Sequence, residues 1–592
     1  MIGTRPLAVV TAGAAVLALA ACSGGSGARD DHDRRDPGAV FVEAGPGAKD
    51  AARTAPADPV AGATEGGTIT VYMPGAPGPD TLDPTGAWSA IGNPIQQGLV
   101  SRSLTQYARG EDGEAVLVPD LATDLGRHND DYTEWTFTLR DDATWEDGTQ
   151  VTPEEVAFGI CRSLDVGRFG DGPGAEYSRT YFLGADDYDG PYTGKDPDCE
   201  DWDGVSVDGH DLTIRMSRPF PDMDYWGAFM AMGPVPLGDA SDPVAYRQHP
   251  LANGPYKVES WDPQEQLVLV RNDAWVATSD PARHQYPERW VFKFNQDQAK
   301  VDEIMLSDSS RARDAVSTSV GAGRYREAVD QLGDRLVQTA TDCVATVTPD
   351  YTKITDVRVR RALAYAFPYE DVWQAAGEVA DVTRARAYSL MPPGMPGQRD
   401  LEVDGEQVAY DPAHARELLA EAGYGDEPYP LTMIYYALDP QVRAAQDQVT
   451  KGLEAGGFSV KAIPVQVSPY ATWLDPDSAL DQKLNVRAAN VCPAWPGGSA
   501  LLPPLLGTGG IYNTAHFSEP SVDAEMERIA TLPVDEQADA WGELDREVTE
   551  RWFPVVPVAY VNRLFAFGAG IGNPGGDSSM GSPDYKDLYV VP

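Results

Sequence analysis

Cys22 stands directly after Leu19-Ala20-Ala21, where a thiol behind small residues is the acceptor that lipoprotein processing needs: its sulfur takes a diacylglyceryl group. Beyond Cys22 there are four cysteines, Cys161, Cys199, Cys343 and Cys492. An even set in an exported chain points to disulfides, with three possible connectivities. Other spacings that suggest chemistry lack their context. Gly570-Ile-Gly-Asn-Pro-Gly575 has GxGxxG spacing, but Pro574 and the Gly-Asp-Ser-Ser run behind it leave no helix to receive a pyrophosphate. The carboxylates of residues 186–203 suggest calcium, yet Cys199 takes the first position of the EF-hand-like run that ends at Gly204, so a solvated loop is the reading. The seven histidines include no HExxH pair, and there is no CxxC or GxSxG. No catalytic residue, metal site or cofactor is therefore expected, and His516 is read as structural.

The N-terminus sets the compartment. Arg5 supplies a basic start, and residues 7–21 are apolar apart from Thr11 and Gly13. About fifteen apolar residues are too few to span a bilayer, so residues 1–21 read as a cleaved leader. The mature chain is expected to be soluble and lipid-anchored through Cys22 on the extracytoplasmic face of the cell membrane. Residues 22–66 turn to Gly, Ala, Pro, Ser, Asp and Arg, with almost nothing to bury, and read as a disordered tether. Roughly 525 residues follow, more than one core usually serves, so at least two lobes are expected. The formal charge of −45 argues against nucleic acid or anionic headgroups as partners; solvated acidic faces account for it.

Strands and helices alternate through the rest of the chain. Trp135, Phe137 and Leu139 alternate with polar residues as in a half-buried strand, Asp147-Gly148 marks a turn, and Thr152, Pro153 and Glu155 form a helix-starting capping box. Strands are expected at 67–73, 212–216, 254–261, 266–272 and 290–295, with helical patterns from there to about residue 335. Helices are expected at 356–367 and 410–423, the latter capped by Asp411-Pro412 and closed by Gly423, and a helix at 441–455 lies between strands at 431–436 and 459–467. This alternation indicates an α/β protein with mixed sheets.

The string at 135–158, WTFTLRDDATWEDGTQVTPEEVAF, closely resembles the signature region of family 5 extracellular solute-binding proteins, the receptors of peptide and nickel ABC transporters. GPYKVESW, LVLVRND, DVRVRRALAYA, YDPAHARELLAEAGY, NTAHFSEPSVD and the 554–560 run are similar to further landmarks, in family order. The resemblance implies a two-lobed, hinged type II periplasmic-binding-protein fold that closes on a ligand in its cleft. Lobe I would span 67–342 with an inserted subdomain at about 92–218, lobe II 343–559, and 560–592 would return to lobe I. Cys161 would pair with Cys199 inside the insert, and Cys343, on a crossing strand, with Cys492 beside the ligand loop.

In peptide-binding members resembling this chain, the segment Val491-Cys-Pro-Ala-Trp-Pro-Gly-Gly-Ser499 carries an aspartate that pairs with the ligand's α-ammonium group; here that position is Ala494. Either another carboxylate substitutes, or the ligand is not a free-amino peptide, because an unpaired buried ammonium is costly. In the second case Ala494→Asp would improve binding of a free-amino peptide. Trp495, Tyr470 and Tyr560 are the aromatic candidates for the cleft. The implied function is a lipid-anchored, monomeric, non-enzymatic receptor that captures an oligopeptide or peptide-like solute and hands it to an ABC permease. The alternative is an exported enzyme or signalling receptor on the same fold.

Overall fold

The strand Glu134–Thr138 buries Trp135 and Phe137 and leaves Glu134 exposed, the alternation its sequence requires. Asp147 then caps the turn by accepting from the Thr149 amide at 2.8 Å, and Gly148 takes the left-handed φ of 85° that the turn demands. At Thr152 the box closes in both directions: Glu155 N donates to Thr152 Oγ1 (3.3 Å) and Thr152 N to Glu155 Oε2 (3.0 Å). The helix so started, Pro153–Arg162, passes the neighbouring chain so closely that a Cβ on Gly159 would lie 2.1 Å from the Gly233 carbonyl oxygen.

The computed structural model describes residues 41–592 apart from 44, 46, 111–112, 171, 194–198, 200, 238–242, 308, 404 and 474–477. The leader, Cys22 and the tether as far as residue 40 lie outside the described residues. Among the described residues no helix is long and apolar enough to cross a membrane, and no group of three or more acidic, Cys or His side chains is placed to hold a metal ion.

One mixed sheet organises the molecule. Its order is Val486–Val491, Leu336–Pro349, Val556–Phe567, Ala315–Ser317, Thr68–Pro74, Arg289–Gln296, Gln266–Arg271, Tyr256–Asp262, with Arg384–Arg386 also on the Val556–Phe567 strand. Thr68–Pro74 runs parallel to both of its neighbours; the other pairs are antiparallel. The two long strands cross between separate cores. At one end Phe565 and Phe567 pack with Ile69, Trp290, Phe292 and Tyr585, joining the two ends of the chain in one core. At the other end Val347, Val556 and Ala559 pack with the helix Val357–Tyr365, and Val344 and Tyr560 with Leu390, Leu505 and Trp541. Between these cores the pairing slips, from Ala340 opposite Asn562 to Val344 opposite Tyr560. A register break in two continuous strands is where a bend costs least, and it marks the hinge.

A further core belongs to an insert. Arg127–His128, Glu134–Thr138, Asp211–Arg215 and Val205–Asp208 form an antiparallel sheet in that order, and its core draws on residues from Leu104 to Met232. In the second lobe the helices Pro412–Glu421 and Pro440–Ala455 start on Asp411 and Asp439, whose carboxylates accept from the first free amides. Tyr429–Tyr436 and Phe458–Val465 pair in parallel beside them.

The structure corrects three expectations. The stretch from 298 to 335 is not all helical: between the helices Gln298–Met305 and Tyr325–Leu332 the strand Ala315–Ser317 fills a central place in the sheet, too short to show a period of two. A disordered tether as far as residue 66 does not fit the described residues beyond 40, which are docked: Ala57 is buried, Thr64 Oγ1 donates to the Val590 carbonyl (2.7 Å), and Asp50 N to that of Leu117 (2.9 Å). Backbone hydrogen bonds to neighbouring strands, invisible to composition, supply the order that apolar side chains do not. Tyr560 is not a cleft aromatic. It is 2% exposed inside the second lobe, and its hydroxyl accepts from the amides of Ser389 (3.1 Å) and Tyr388 (3.3 Å).

Cys161 is bonded to Cys199 and Cys343 to Cys492, the pairing the resemblance implies. In the GxGxxG stretch, Gly572 serves packing: a Cβ there would fall 2.1 Å from Cζ of the Tyr589 ring.

Asp545 gives the second lobe a pH signature. Burial pushes its carboxyl up to about 6 against the pull of the Met391 and Leu390 amides and of Thr549. The native state then holds this proton to a higher pH than the unfolded chain does, so Asp545 lowers stability as pH rises from about 4 to about 6. Asp545→Asn keeps an oxygen for both amides and removes the titration. Relative to the parent, its unfolding free energy should rise by about 2 to 3 kcal/mol between pH 4 and pH 7. Denaturant unfolding of both proteins at the two pH values checks this, and a constant difference would refute it.

Candidate functional site

The strand Val486–Val491 ends at Cys492, which is tied to Cys343 beside the hinge, and the chain then turns through residues 493–497 into the helix Gly498–Leu506. Trp495 in this turn leaves its own lobe. Its ring is 2% exposed and lies 5.1 Å from Tyr177 and 5.8 Å from Phe220, in the aromatic core of the insert. Its Nε1 donates to Ser499 Oγ at 3.2 Å. Asp222 of the insert sits against the same two side chains; burial raises its carboxyl above the usual range, opposed by hydrogen bonding from Ser499 and by the Lys49 charge. The two lobes therefore meet at a wedge, with one lobe's tryptophan seated in the other's core.

The described residues between 41 and 50 run beside this wedge. Phe41 packs against the second lobe's core, and Asn562 Nδ2 donates to the Val42 carbonyl at 3.0 Å. On the insert side Lys49 bridges Leu117 in parallel: Leu117 N donates to the Ala48 carbonyl and Asp50 N to the Leu117 carbonyl, both at 2.9 Å. Tyr225 donates its hydroxyl to the Gly47 carbonyl, and Lys49 Nζ lies 2.6 Å from Asp224 Oδ2 and 4.1 Å from the Tyr225 ring centre. Gly47 has φ 70°, and a Cβ there would lie 2.8 Å from both Pro496 Cγ and the Tyr225 hydroxyl, so no side chain fits.

Further acids act on Tyr107 and Tyr225. At the hinge, burial pushes the Asp342 carboxyl up to about 7, with the Glu114 charge adding to the effect. The Tyr107 hydroxyl is buried with no hydrogen-bond partner, and it feels Tyr225, Asp342 and Asp224. Asp577 and Lys586 pair at 2.5 Å near the same strands and line, with Gln97, Gln106 and Tyr585, a small cavity.

Of the sequence candidates, Trp495 and the half-buried Ala494 come together against the insert core, beside the docked segment. Tyr470 has a supporting place: its hydroxyl donates to the Asn490 carbonyl at 2.9 Å, and its ring packs edge-on to Trp473. His516 contacts Asp350 Oδ2 at 3.1 Å. Burial alone would raise the Asp350 carboxyl, but His516, Thr352, Lys353 and Arg487 hold it well below the usual range, a structural role. Sequence reasoning missed Lys49, Leu117, Asp222, Asp224, Tyr225 and Asp342. Each is an ordinary residue of its own segment, and only the fold brings them together.

Two lobes joined by a pair of crossing strands, with an insert on one and a closing loop on the other, define a type II periplasmic-binding-protein fold. The fold is shared with the solved "Clavulanic acid biosynthesis oligopeptide binding protein 2", at TM-score 0.79 and 24% identity, covering 93% of this chain and 99% of that one. It is also shared with the structure titled "Listeria monocytogenes OppA bound to peptide", at TM-score 0.66 and 18% identity, covering 88% and 99%. Residues 116–513 match the profile of the Bacterial extracellular solute-binding proteins, family 5 Middle, and the chain belongs to that family. Its members are binding proteins, not enzymes. The chain is 22% identical to the Periplasmic oligopeptide-binding protein OppA of Escherichia coli (strain K12), over 84% of this chain and 89% of the relative. It is 24% identical to the Periplasmic murein peptide-binding protein MppA of the same organism, over 81% and 85%.

Proposed function

We propose that this protein is the peptide receptor of an ABC importer, holding an extended oligopeptide or peptide-like solute between its lobes and delivering it to a membrane permease. One observation carries the reading. Leu117 pairs through both its N–H and its C=O with a backbone running parallel to its own strand, that of residues 48–50 beside the Trp495 wedge. Main-chain pairing of this kind gives affinity for any extended peptide, whatever its side chains. The relatives named for oligopeptides and murein peptides support the same ligand class. Native mass spectrometry of the purified protein should find carried-over peptides, and calorimetry with defined peptides should show saturable binding without turnover. No binding across a varied peptide set would overturn the reading.

The receptor works at the outer face of the membrane as a monomer, anchored by a diacylglyceryl group on Cys22. The short apolar leader ahead of Leu19-Ala20-Ala21-Cys22 supports this. Cys22→Ala should move the protein from the membrane fraction to the soluble fraction; retention on membranes would refute the anchor.

A further inference from the structure

The described residues of the segment 41–50 touch both lobes, and residues 48–50 make the main-chain contacts an extended peptide would make. We propose that this segment is a resident ligand of the cleft, and that its Lys49 occupies the site for a ligand's ammonium group, built by Asp224 with Asp222 beside it. The inference rests on the peptide-receptor reading and names the part of that site which selects charge.

Three features support it. The pairing with Leu117 flanks Lys49 on both sides, so the lysine is held in register over Asp224 rather than swinging freely. Its ammonium also lies over the Tyr225 ring, an arrangement favourable to any cation placed there. Asp222 also feels the Lys49 charge, and the buried Tyr107 hydroxyl, which feels Asp224 and Tyr225, has no hydrogen-bond partner. Both acids belong to the insert, and Asp222 lies against Ser499 and Trp495 of the loop that carries Ala494. The carboxylate that this loop lacks is thus supplied from across the cleft, and the ligand class is a peptide with an ammonium group, either a free N-terminus or a lysine-type side chain.

The physical consequence is competition. A segment tethered to its own site acts at an effective concentration on the order of millimolar. A free peptide must displace it, so weak peptides are refused and only those that satisfy both Leu117 and Asp224 enter. The occluder leaves when the lobes open, because its contacts are divided between them.

The test uses the mature chain with Cys22→Ala, with and without Lys49→Ala, and with Lys49→Ala plus Asp224→Asn. Hydrogen exchange of the fragment containing Leu117 reads the resident segment directly. Exchange should be slow in the parent and at least tenfold faster with Lys49→Ala; equal rates overturn the proposal. Calorimetry with Ala-Ala-Lys-Ala-Ala and its N-acetylated norleucine analogue reads the site. Lys49→Ala should bind the lysine peptide at least tenfold tighter than the parent and prefer it over the analogue, and Asp224→Asn should abolish that preference. Equal peptide affinity in parent and Lys49→Ala overturns the resident ligand while leaving the peptide receptor intact. If neither peptide binds any of the proteins but Leu117 exchange responds to Lys49, the docked segment stands and the peptide reading falls.

Discussion

Replacing Cys343 and Cys492 together by serine should lower the unfolding free energy of the second lobe by about 4 to 5 kcal/mol, the stability a cross-link closing so long a loop gives through the unfolded chain. The separation is 149 residues, against 38 for Cys161 and Cys199, so removing the latter pair should cost less, about 3 to 4 kcal/mol in the same chain-entropy picture. The two losses should also differ in kind. Cys343 sits within the register break of the crossing strands, and Cys492 begins the turn that carries Trp495. Cutting that bond frees the closing loop from the hinge, so ligand affinity should fall along with stability. Cutting Cys161–Cys199 loosens only the insert and should leave affinity nearer to that of the parent. Denaturant unfolding followed by lobe-specific hydrogen exchange, with calorimetry on a bound peptide, separates the two; equal losses for both pairs would refute the assignment.

How far the sequence reaches depends on whether the deciding interaction is local. The Thr152 capping box, the Asp411 cap and the Asp147-Gly148 turn involve residues a few positions apart, and each stands in the structure as its spacing requires. Trp135 and Phe137 declare the buried face of their strand for the same reason. Leu336–Pro349 is the opposite case. Its fourteen residues mix Thr, Gln, Asp and Ala with few large apolar side chains, because the strand changes cores midway and no single face stays buried. Even less legible is residue 41 onward, a run of Ala, Gly, Pro and charged residues whose order comes from backbone pairing with Leu117 and the Lys49–Asp224 bridge. Of the candidate site, the resemblance located the turn at Ala494 and Trp495. It also offered Tyr560, whose place beside the hinge strand is real but whose ring and hydroxyl are spent inside the second lobe. The acids facing the turn could not be found that way, since Asp222 and Asp224 lie more than 260 positions earlier in the chain.

Trp495→Ala should open the molecule without unfolding it. In the closed arrangement the indole is buried against Tyr177 and Phe220 of the insert, while the rest of its turn belongs to the second lobe. Truncating a buried tryptophan to alanine costs about 3 to 5 kcal/mol where the cavity cannot collapse. Here the cost falls on the contact between lobes, because neither lobe needs this ring for its own core once the hinge has opened. A loss of about 3 kcal/mol changes the ratio of closed to open molecules by roughly a hundredfold. The removal also strands Asp222, which is buried beside Trp495 and Ser499 and is relieved by the entry of water. Small-angle scattering should therefore show a larger radius of gyration for the variant, and the Leu117 fragment should lose exchange protection as the 41–50 segment is released. Thermal unfolding of the individual lobes should stay close to that of the parent. Trp495→Phe, which keeps an aromatic ring between Tyr177 and Phe220, should recover most of the closed population. Unchanged scattering together with a large drop in the melting temperature would show that Trp495 is an ordinary core residue and that closure rests on other contacts.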